Sequence, residues 1–207
     1  MASAQRDATA HLHWGVATLA LAGQAESGDL HLVAPVPRGV LVAVVDGLGH
    51  GEEAAAAAKL AVRTLERFAD DEPLALLQRC HLALKGTRGV VMSLARFDVP
   101  RGSVTWLGVG NVEGIVHHAN WAERSARVSL VTRGGIVGSE LPAIQPAVIP
   151  VEAGDTLIFA TDGIRGGFTE DISDRVQPQR LANQILSRYG KGTDDALVLV
   201  ATYLGRK

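Results

Sequence analysis

The sequence is poor in several residue types, and each shortage excludes a class of protein. One of the 207 residues is cysteine, so the chain can form neither an internal disulfide nor a zinc site built on cysteines. Aromatic residues make up 4% of the chain and the formal net charge is −2, so the basic stripe and the stacking platforms typical of nucleic-acid binding are missing. The longest apolar runs, such as residues 39–45, are far shorter than the roughly 18 residues that predict a membrane-spanning helix.

Apolar residues, in contrast, make up 47% of the chain, against 20% charged residues. This balance predicts a folded core, and the length fits a single domain over residues 1–207 with no sensor or regulatory module. Residues 1–10 are polar and lack the apolar segment of a secretory signal. Together with the single cysteine, this predicts a cytoplasmic protein.

The hydrophobic pattern separates a few helices from a long series of strands. Helix propensity and favourably placed prolines predict helices at 52–68, 73–84 and 178–188. Apolar, β-branched runs bounded by turn residues predict strands at 14–22, 30–33, 40–45, 90–97, 104–107, 114–118, 128–131, 147–151, 156–160 and 196–203. This order predicts an α+β fold with mostly antiparallel sheets.

Three aspartates occur where a predicted buried strand meets a loop. Asp46 and Asp162 each end a strand and precede a glycine, and Asp194 lies just before the last strand. Strand pairing can gather such residues at one edge of the sheets. Clustered carboxylates repel one another unless a cation neutralises them, and carboxylate oxygens are ligands that suit Mg²⁺ and Mn²⁺. The pattern therefore predicts a metal site, although each Asp-Gly pair alone is also typical of a plain turn.

Residues close to these aspartates are candidates for further roles. Gly47 can bring its carbonyl oxygen into a coordination shell, and Asp29 is a candidate ligand or a base behind the ligands. Two ions that share a carboxylate would activate a water for in-line attack on a phosphate ester. His50 is either a packed loop residue or a proton donor or phosphate contact, and Gly166 belongs either to a plain turn or to a loop at the rim of the site.

Five motifs, in this order, resemble the metal-dependent protein phosphatase (PPM) family. They are SGD at 27–29, VVDGLGHG at 44–51, VGNVEGIV at 109–116, FATDGI at 159–164 and DDALVLV at 194–200. The resemblance covers most of the chain and is strongest to the bacterial stress-response and sporulation branch. It implies a four-layer α-β-β-α sandwich of two mostly antiparallel sheets flanked by helices, with the metal ions at one end of the sheet pair.

The resemblance also implies roles for individual residues. Asp46 matches the aspartate that bridges two Mn²⁺ or Mg²⁺ ions, and Gly47 matches the glycine whose carbonyl binds one of them. Asp162 and Asp194 match the other carboxylate ligands. In the family, a metal-activated water attacks the phosphomonoester directly, without a covalent enzyme intermediate.

One departure from the family pattern affects the last motif. The usual Asp-x-x-Thr is broken, since Leu197 stands where the threonine is expected. Either Asp194 or Asp195 can therefore be the ligand. Asp29 and Asp195 are also candidates to support the ligands or to bind a third ion.

The resemblance implies an enzyme, a phosphoserine/phosphothreonine protein phosphatase whose substrates are phosphorylated stressosome scaffold proteins, with no nucleic-acid or membrane partner. Eukaryotic members carry an arginine upstream of the first acidic motif that binds the phosphate, whereas residues 17–28 contain no basic residue. Phosphate binding is then expected to rest on the metals and on docking of a folded partner.

Two alternatives remain open. A non-catalytic relative would only bind the partner protein. A nucleotide-binding module would use the Gly-x-Gly loop at 47–49, but Asp46 at its mouth would repel a pyrophosphate, and the expected strand–helix–strand continuation is missing.

Overall fold

The computed structural model describes residues 11–119, 127–172 and 176–206. Within these residues, ten strands form two five-stranded sheets, and neighbouring strands in both sheets run antiparallel. Sheet I has the spatial order β1 (Leu12–Leu19), β10 (Ala196–Tyr203), β9 (Thr156–Ala160), β6 (Glu113–His117) and β7 (Arg127–Leu130). Sheet II has the order β2 (Asp29–Val36), β3 (Gly39–Gly47), β4 (Val90–Asp98), β5 (Ser103–Val109) and β8 (Ala147–Pro150).

The helices cover the outer faces of both sheets. Helices α1 (Glu52–Arg67) and α2 (Pro73–Ala83) pack on sheet II, and α3 (Pro178–Tyr189) packs on sheet I, preceded by a 3-10 turn (Phe168–Asp171). Proline at the first position of α2 and of α3 fits a helix start, where no intrahelical donor is needed. The alanine-rich face of α1 is buried, and these small side chains let the helix lie close to the sheet.

The alternation of side chains along the central strands divides the core into layers. On β3, Val42 and Val44 belong to the core between the sheets, whereas Ala43 and Val45 belong to the core under α1 and α2. A strand covered on both faces in this way is apolar at every position. The order of layers is helix, sheet, sheet, helix, so the predicted α-β-β-α sandwich is confirmed.

Several element ends differ from the sequence-based prediction. Strand β1 ends at Leu19 and not at residue 22, because the chain leaves the sheet there for the loop that leads to β2. Strand β2 begins at Asp29 and extends to Val36, since it pairs with β3 along its full length. Strand β3 continues through Gly47. None of the helices in the described part of the chain is long and apolar enough to cross a membrane.

Candidate metal centre

Strand β3 positions Asp46 at the end of sheet II from which α1 departs. Asp46 lies opposite Asp29 on β2 and opposite Val91 on β4. It is therefore the second-last residue of β3, close to the strand end at which the sequence placed it. Directly opposed residues on paired strands share a face of the sheet, so two carboxylates face the same way at this end.

The glycines that follow Asp46 and Asp162 allow two backbone segments to approach. A Cβ atom on Gly47 would collide with the carbonyl oxygen of Ala54 in the first turns of α1. A Cβ atom on Gly163 would collide with the carbonyl oxygen of Asp195. Any larger residue at either position would push α1 or the start of β10 away from the aspartates.

The three predicted aspartates meet in one cleft of about 330 Å³, which we call the acidic cleft. Asp46 comes from β3, Asp162 from the turn after β9, and Asp194 from the loop before β10. The two sheets thus bring together residues from three separate segments. The cleft is lined by Asp46, Leu48, Gly49, Val91, Gly110, Asn111, Asp162 and Asp194.

Asn111 is a site residue that the sequence analysis missed. Its Nδ2 donates a hydrogen bond of 2.8 Å to Oδ2 of Asp162, which fixes the orientation of that carboxylate. Asn111 belongs to the VGNVEGIV motif at 109–116, so the motif that carried the family resemblance was the available signal.

The neighbours Asp194 and Asp195 lie in different surroundings. Asp195 is 4% exposed, and its two carboxylate oxygens accept hydrogen bonds from the backbone N–H groups of Leu21 (2.8 Å) and Gly28 (2.7 Å). Asp195 therefore ties down both ends of the loop between β1 and β2. Asp194 lines the acidic cleft, and its Oδ1 also accepts a hydrogen bond from the backbone N–H of Asp195.

Asp29 lies behind the cleft, buried and hydrogen-bonded. It is 4% exposed, and its Oδ2 accepts a hydrogen bond of 2.7 Å from the hydroxyl of Thr161. The Thr161 oxygen in turn accepts a hydrogen bond from the backbone N–H of Leu197. Burial, together with the charges of neighbouring aspartates, raises the pKa of Asp29 to about 7, against the lowering effect of the Thr161 hydrogen bond.

The same forces act on Asp46 more strongly. Burial, together with the negative charges of Asp29, Asp162, Asp194 and Asp195, raises the pKa of Asp46 to about 8. In such a site, ionised carboxylates are costly unless a positive charge accompanies them. The donor set consists of carboxylate oxygens, the hard ligands that suit Mg²⁺ and Mn²⁺.

The residues present therefore fit a divalent cation by charge and by ligand type. Within residues 11–119, 127–172 and 176–206, no three acidic, histidine or cysteine side chains converge tightly enough to hold an ion by themselves. The fit rests on the chemistry of the donors and on the repulsion between them, not on a closed coordination shell.

Two further candidates lie away from the aspartates. His50 is exposed, and its Nδ1 lies 3.5 Å from the side-chain nitrogen of Gln24, at the outer side of the glycine loop. Gly166 is exposed, and a Cβ atom there would meet no atom within 4 Å among those the structure describes. Neither is among the residues that line the acidic cleft, whereas Gly49, which precedes His50 in the glycine loop, is.

A larger cavity, of about 700 Å³, opens between the edges of β7 and β8. Its walls include Trp106, Leu130 and Ile149, and none of its described lining residues is acidic. The chemistry of the chain therefore points to the smaller acidic cleft, since cavity size alone supplies no reactive group.

Comparison with known families agrees with this geometry. A family model described as stage II sporulation protein E (SpoIIE) matches residues 37–204, which include all the aspartates that line the cleft. The chain belongs to the SpoIIE family. Its predicted resemblance to the metal-dependent protein phosphatases, in their bacterial stress-response and sporulation branch, is thereby confirmed.

Among individual relatives of this SpoIIE-family chain, the phosphoserine phosphatase RsbX of Bacillus subtilis (strain 168) is 28% identical over 107 residues. That alignment covers 52% of the chain and 54% of RsbX, so it spans about half the length of the curated relative.

Solved structures share the fold over nearly the whole chain. One, described as "The bacterial stressosome: a modular system that has been adapted to control secondary messenger signaling", is 32% identical. It matches with a TM-score of 0.82 over 92% of this chain and 98% of its own. The crystal structure of RsbX in complex with magnesium matches with a TM-score of 0.83 at 21% identity, over 94% of this chain and 96% of its own.

Proposed function

We propose that this SpoIIE-family protein is a Mg²⁺- or Mn²⁺-dependent phosphatase that removes phosphate from serine or threonine residues of a protein. The observation that carries the proposal is the meeting of Asp46, Asp162 and Asp194 in one cleft. A structural role alone does not require three carboxylates from separate segments to line one cleft, because their mutual repulsion is unfavourable.

In this proposal, Asp46, Asp162 and Asp194 would hold the metal ions through their carboxylate oxygens, and Gly47 would offer its carbonyl oxygen. When bound, the ions would neutralise charge on the phosphoryl oxygens and lower the pKa of a water ligand towards neutrality. The chain itself supplies the positioning: Asn111 orients Asp162 through the hydrogen bond between their side chains.

Behind the ligands, Asp29 and Asp195 act as supports. Thr161 holds Asp29 opposite Asp46, and Asp195 holds the loop between β1 and β2 against the start of β10. Both aspartates are buried, so their effect on the reaction is to fix the backbone that presents Asp46 and Asp194.

We further propose phosphorylated stressosome scaffold proteins as the substrates, and the cytoplasm as the place where the protein meets them. Two similarities support this. A relative is named phosphoserine phosphatase RsbX, and the description of a solved structure with 32% identity names the bacterial stressosome. Removal of phosphate from the scaffold would reset a stress signal. The acidic cleft, at about 330 Å³, has room for a phosphorylated side chain.

The test is hydrolysis of p-nitrophenyl phosphate and of a phosphorylated stressosome scaffold protein, each with Mn²⁺, Mg²⁺ or EDTA. Wild type is compared with Asp46→Asn and with the matched control Asp70→Asn, since Asp70 is an exposed aspartate in the turn between α1 and α2. We expect metal-dependent release that Asp46→Asn abolishes and Asp70→Asn retains.

Two other outcomes would contradict the proposal. Release that persists in Asp46→Asn with EDTA would show that the acidic cleft is not the catalytic site. No release by wild type, with Mn²⁺ still bound in calorimetry, would identify a binding-only relative.

A further inference from the structure

We propose that Arg88 binds the phosphoryl group of the substrate, the role for which residues 17–28 offer no basic side chain. This inference rests on the proposed phosphatase function and names a further residue of the same site. Arg88 lies in the loop between α2 and β4, a segment that none of the five sequence motifs includes.

Strand register places Arg88 beside the acidic cleft. In the antiparallel pair of β3 and β4, Asp46 lies opposite Val91 and Gly47 opposite Val90. The pairing continues past the strand ends, because the backbone N–H of Leu48 donates to the carbonyl oxygen of Gly89. The next step of the same register sets Gly49 opposite Arg88.

The side chain of Arg88 lies against Gly49, a residue that lines the acidic cleft. A Cβ atom on Gly49 would be 2.8 Å from Nη1 of Arg88, so the guanidinium occupies the space that any side chain at position 49 would need. Gly49 itself lines the acidic cleft together with Asp46 and Asp162. The guanidinium therefore lies against a residue of the cleft wall, and Arg88 is not itself among the residues that line the cleft.

The backbone that carries Arg88 is held on both sides. Before it, Thr87 donates from its backbone N–H and its hydroxyl to the carbonyl oxygen of Leu84. After it, the backbone N–H of Gly89 donates to the Thr87 hydroxyl oxygen. A Cβ atom on Gly89 would lie 2.8 Å from the carbonyl oxygen of Val137, so the chain here is closely packed. Arg88 thus projects from a fixed base.

The contacts of the guanidinium suit an anionic ligand. Its Nε donates to Oε2 of Glu53 in the first turn of α1, which leaves the Nη1 edge beside Gly49. The Arg88 side chain is 50% exposed and that of Glu53 is 71% exposed, so their ion pair is weak and does not neutralise the cation. A guanidinium presents planar paired donors that match phosphate oxygens.

Electrostatics gives the reason for a cation at this position. A phosphoryl group that enters the cleft approaches Asp46, Asp162 and Asp194, all of which repel it. Bound metal ions would offset this repulsion inside the cleft, and a guanidinium beside the cleft wall would attract the group from the solvent side. Arg88 is held beside Gly49.

The experiment compares wild type, Arg88→Ala and Arg88→Lys in two measurements with Mn²⁺ present. The first is the KM and kcat for p-nitrophenyl phosphate, and the second is the Kd for inorganic phosphate by calorimetry, which needs no turnover. Loss of one charge-assisted contact predicts that Arg88→Ala raises both KM and Kd by roughly 10- to 100-fold, with a much smaller change in kcat. Arg88→Lys restores part of the loss, and the Kd for Mn²⁺ stays unchanged.

Two control variants separate phosphate binding from other roles. Glu53→Gln breaks the same ion pair but keeps the guanidinium, and Arg101→Ala removes an exposed arginine from the turn between β4 and β5. We expect both to keep the wild-type KM and phosphate Kd. An equal loss in Glu53→Gln would mean that Arg88 acts only through the ion pair, which overturns the inference.

The remaining outcomes distinguish the two proposals. An unchanged phosphate Kd in Arg88→Ala overturns the role of Arg88, whatever the activity of wild type. A loss seen with a phosphoprotein but not with p-nitrophenyl phosphate makes Arg88 a protein-docking residue and also overturns it. If wild type shows no turnover but still binds phosphate in a way that depends on Arg88, the phosphatase proposal is wrong and the proposal that Arg88 binds phosphate is retained.

Discussion

The hydroxyl of Thr161 donates a hydrogen bond of 2.7 Å to the buried carboxylate of Asp29. The contact joins the two sheets, because Thr161 follows β9 of sheet I and Asp29 begins β2 of sheet II. It lies directly behind the acidic cleft, since Asp29 is paired with Asp46 and Thr161 precedes Asp162 in the chain. The position of two cleft aspartates therefore depends on one hydroxyl group.

Replacement of Thr161 by valine removes this hydroxyl while nearly keeping the shape of the side chain. Thr161→Val leaves the Asp29 carboxylate and the N–H of Leu197 without their partner in a site where Thr161 is 2% exposed. We expect a loss of about 1–3 kcal/mol in the free energy of unfolding and reduced phosphatase activity. Urea denaturation and Mn²⁺-dependent hydrolysis measure both, and Thr161→Ser, which keeps the hydroxyl, should lose less of each.

Asp46 makes the stability of the metal-free protein depend on pH. Its pKa is raised from 3.8 to about 8 in the folded state, so between these values the folded chain holds more protons than the unfolded chain. Stability therefore falls as pH rises, and the cost is complete above the folded pKa. Asp46→Asn should stabilise the protein in EDTA by on the order of 1–3 kcal/mol near pH 9 and by much less near pH 4.

Urea denaturation of wild type and Asp46→Asn at both pH values, in EDTA, measures this difference. Asp70→Asn serves as the exposed control and should leave the pH profile as it is. The explanation would be wrong if wild type became more stable as the pH rose above 4 and Asp46→Asn were no more stable than wild type at high pH.

Asp194 and Asp195 should respond differently to the same substitution. Asp195→Ala removes the acceptors for the N–H groups of Leu21 and Gly28, so we expect a loss of about 1–3 kcal/mol in stability and faster amide hydrogen exchange at both positions. Asp194→Ala should weaken Mn²⁺ binding in calorimetry and leave amide hydrogen exchange at Leu21 and Gly28 slow. Equal effects of the two variants on exchange would remove the distinction between ligand and support.

Gly47 and Gly166 offer a matched pair of glycine substitutions. Gly47→Ala places a Cβ against the carbonyl oxygen of Ala54, so α1 or β3 must shift, and we expect lower stability together with lower activity. Gly166→Ala meets open space, so stability should remain at the wild-type level. Melting temperature and hydrolysis of p-nitrophenyl phosphate measure the two effects. A loss of activity in Gly166→Ala without a loss of stability would restore the expectation that Gly166 contacts the substrate.

Much of the fold could be predicted because the central strands carry their own signal. Strands β3 and β10 contain long uninterrupted apolar runs, residues 40–45 and 196–201, since both of their faces are covered there, and a run of this kind is recognisable without any tertiary information. The ends were less predictable. Leu19 ends β1 at a point set by the loop to β2, and that loop is fixed by Asp195, a residue far along the chain.

The candidate ligands were also predictable, but their surroundings were not. Asp46, Asp162 and Asp194 stand next to apolar strands, so their placement at strand ends followed from local pattern. Asn111 lies in the VGNVEGIV motif and Arg88 in none of the five motifs, and neither position by itself predicts the contact that its side chain makes. Asn111 matters because it donates to Asp162, and Arg88 because it lies against Gly49, and both contacts arise only when separate strands are in register.

The sequence by itself therefore determined the layered α+β fold, the family and the three aspartates, because hydrophobic periodicity and short acidic motifs are local properties. Only the tertiary structure shows that Asp194 lines the cleft whereas Asp195 binds the loop between β1 and β2, that Thr161 and Asn111 donate hydrogen bonds to aspartates, and that Arg88 lies against Gly49. The physical reason is that a side chain's hydrogen-bond partners and its burial depend on which strands lie beside it. Neighbours in the sheets are separated in the chain, so no local pattern encodes those contacts.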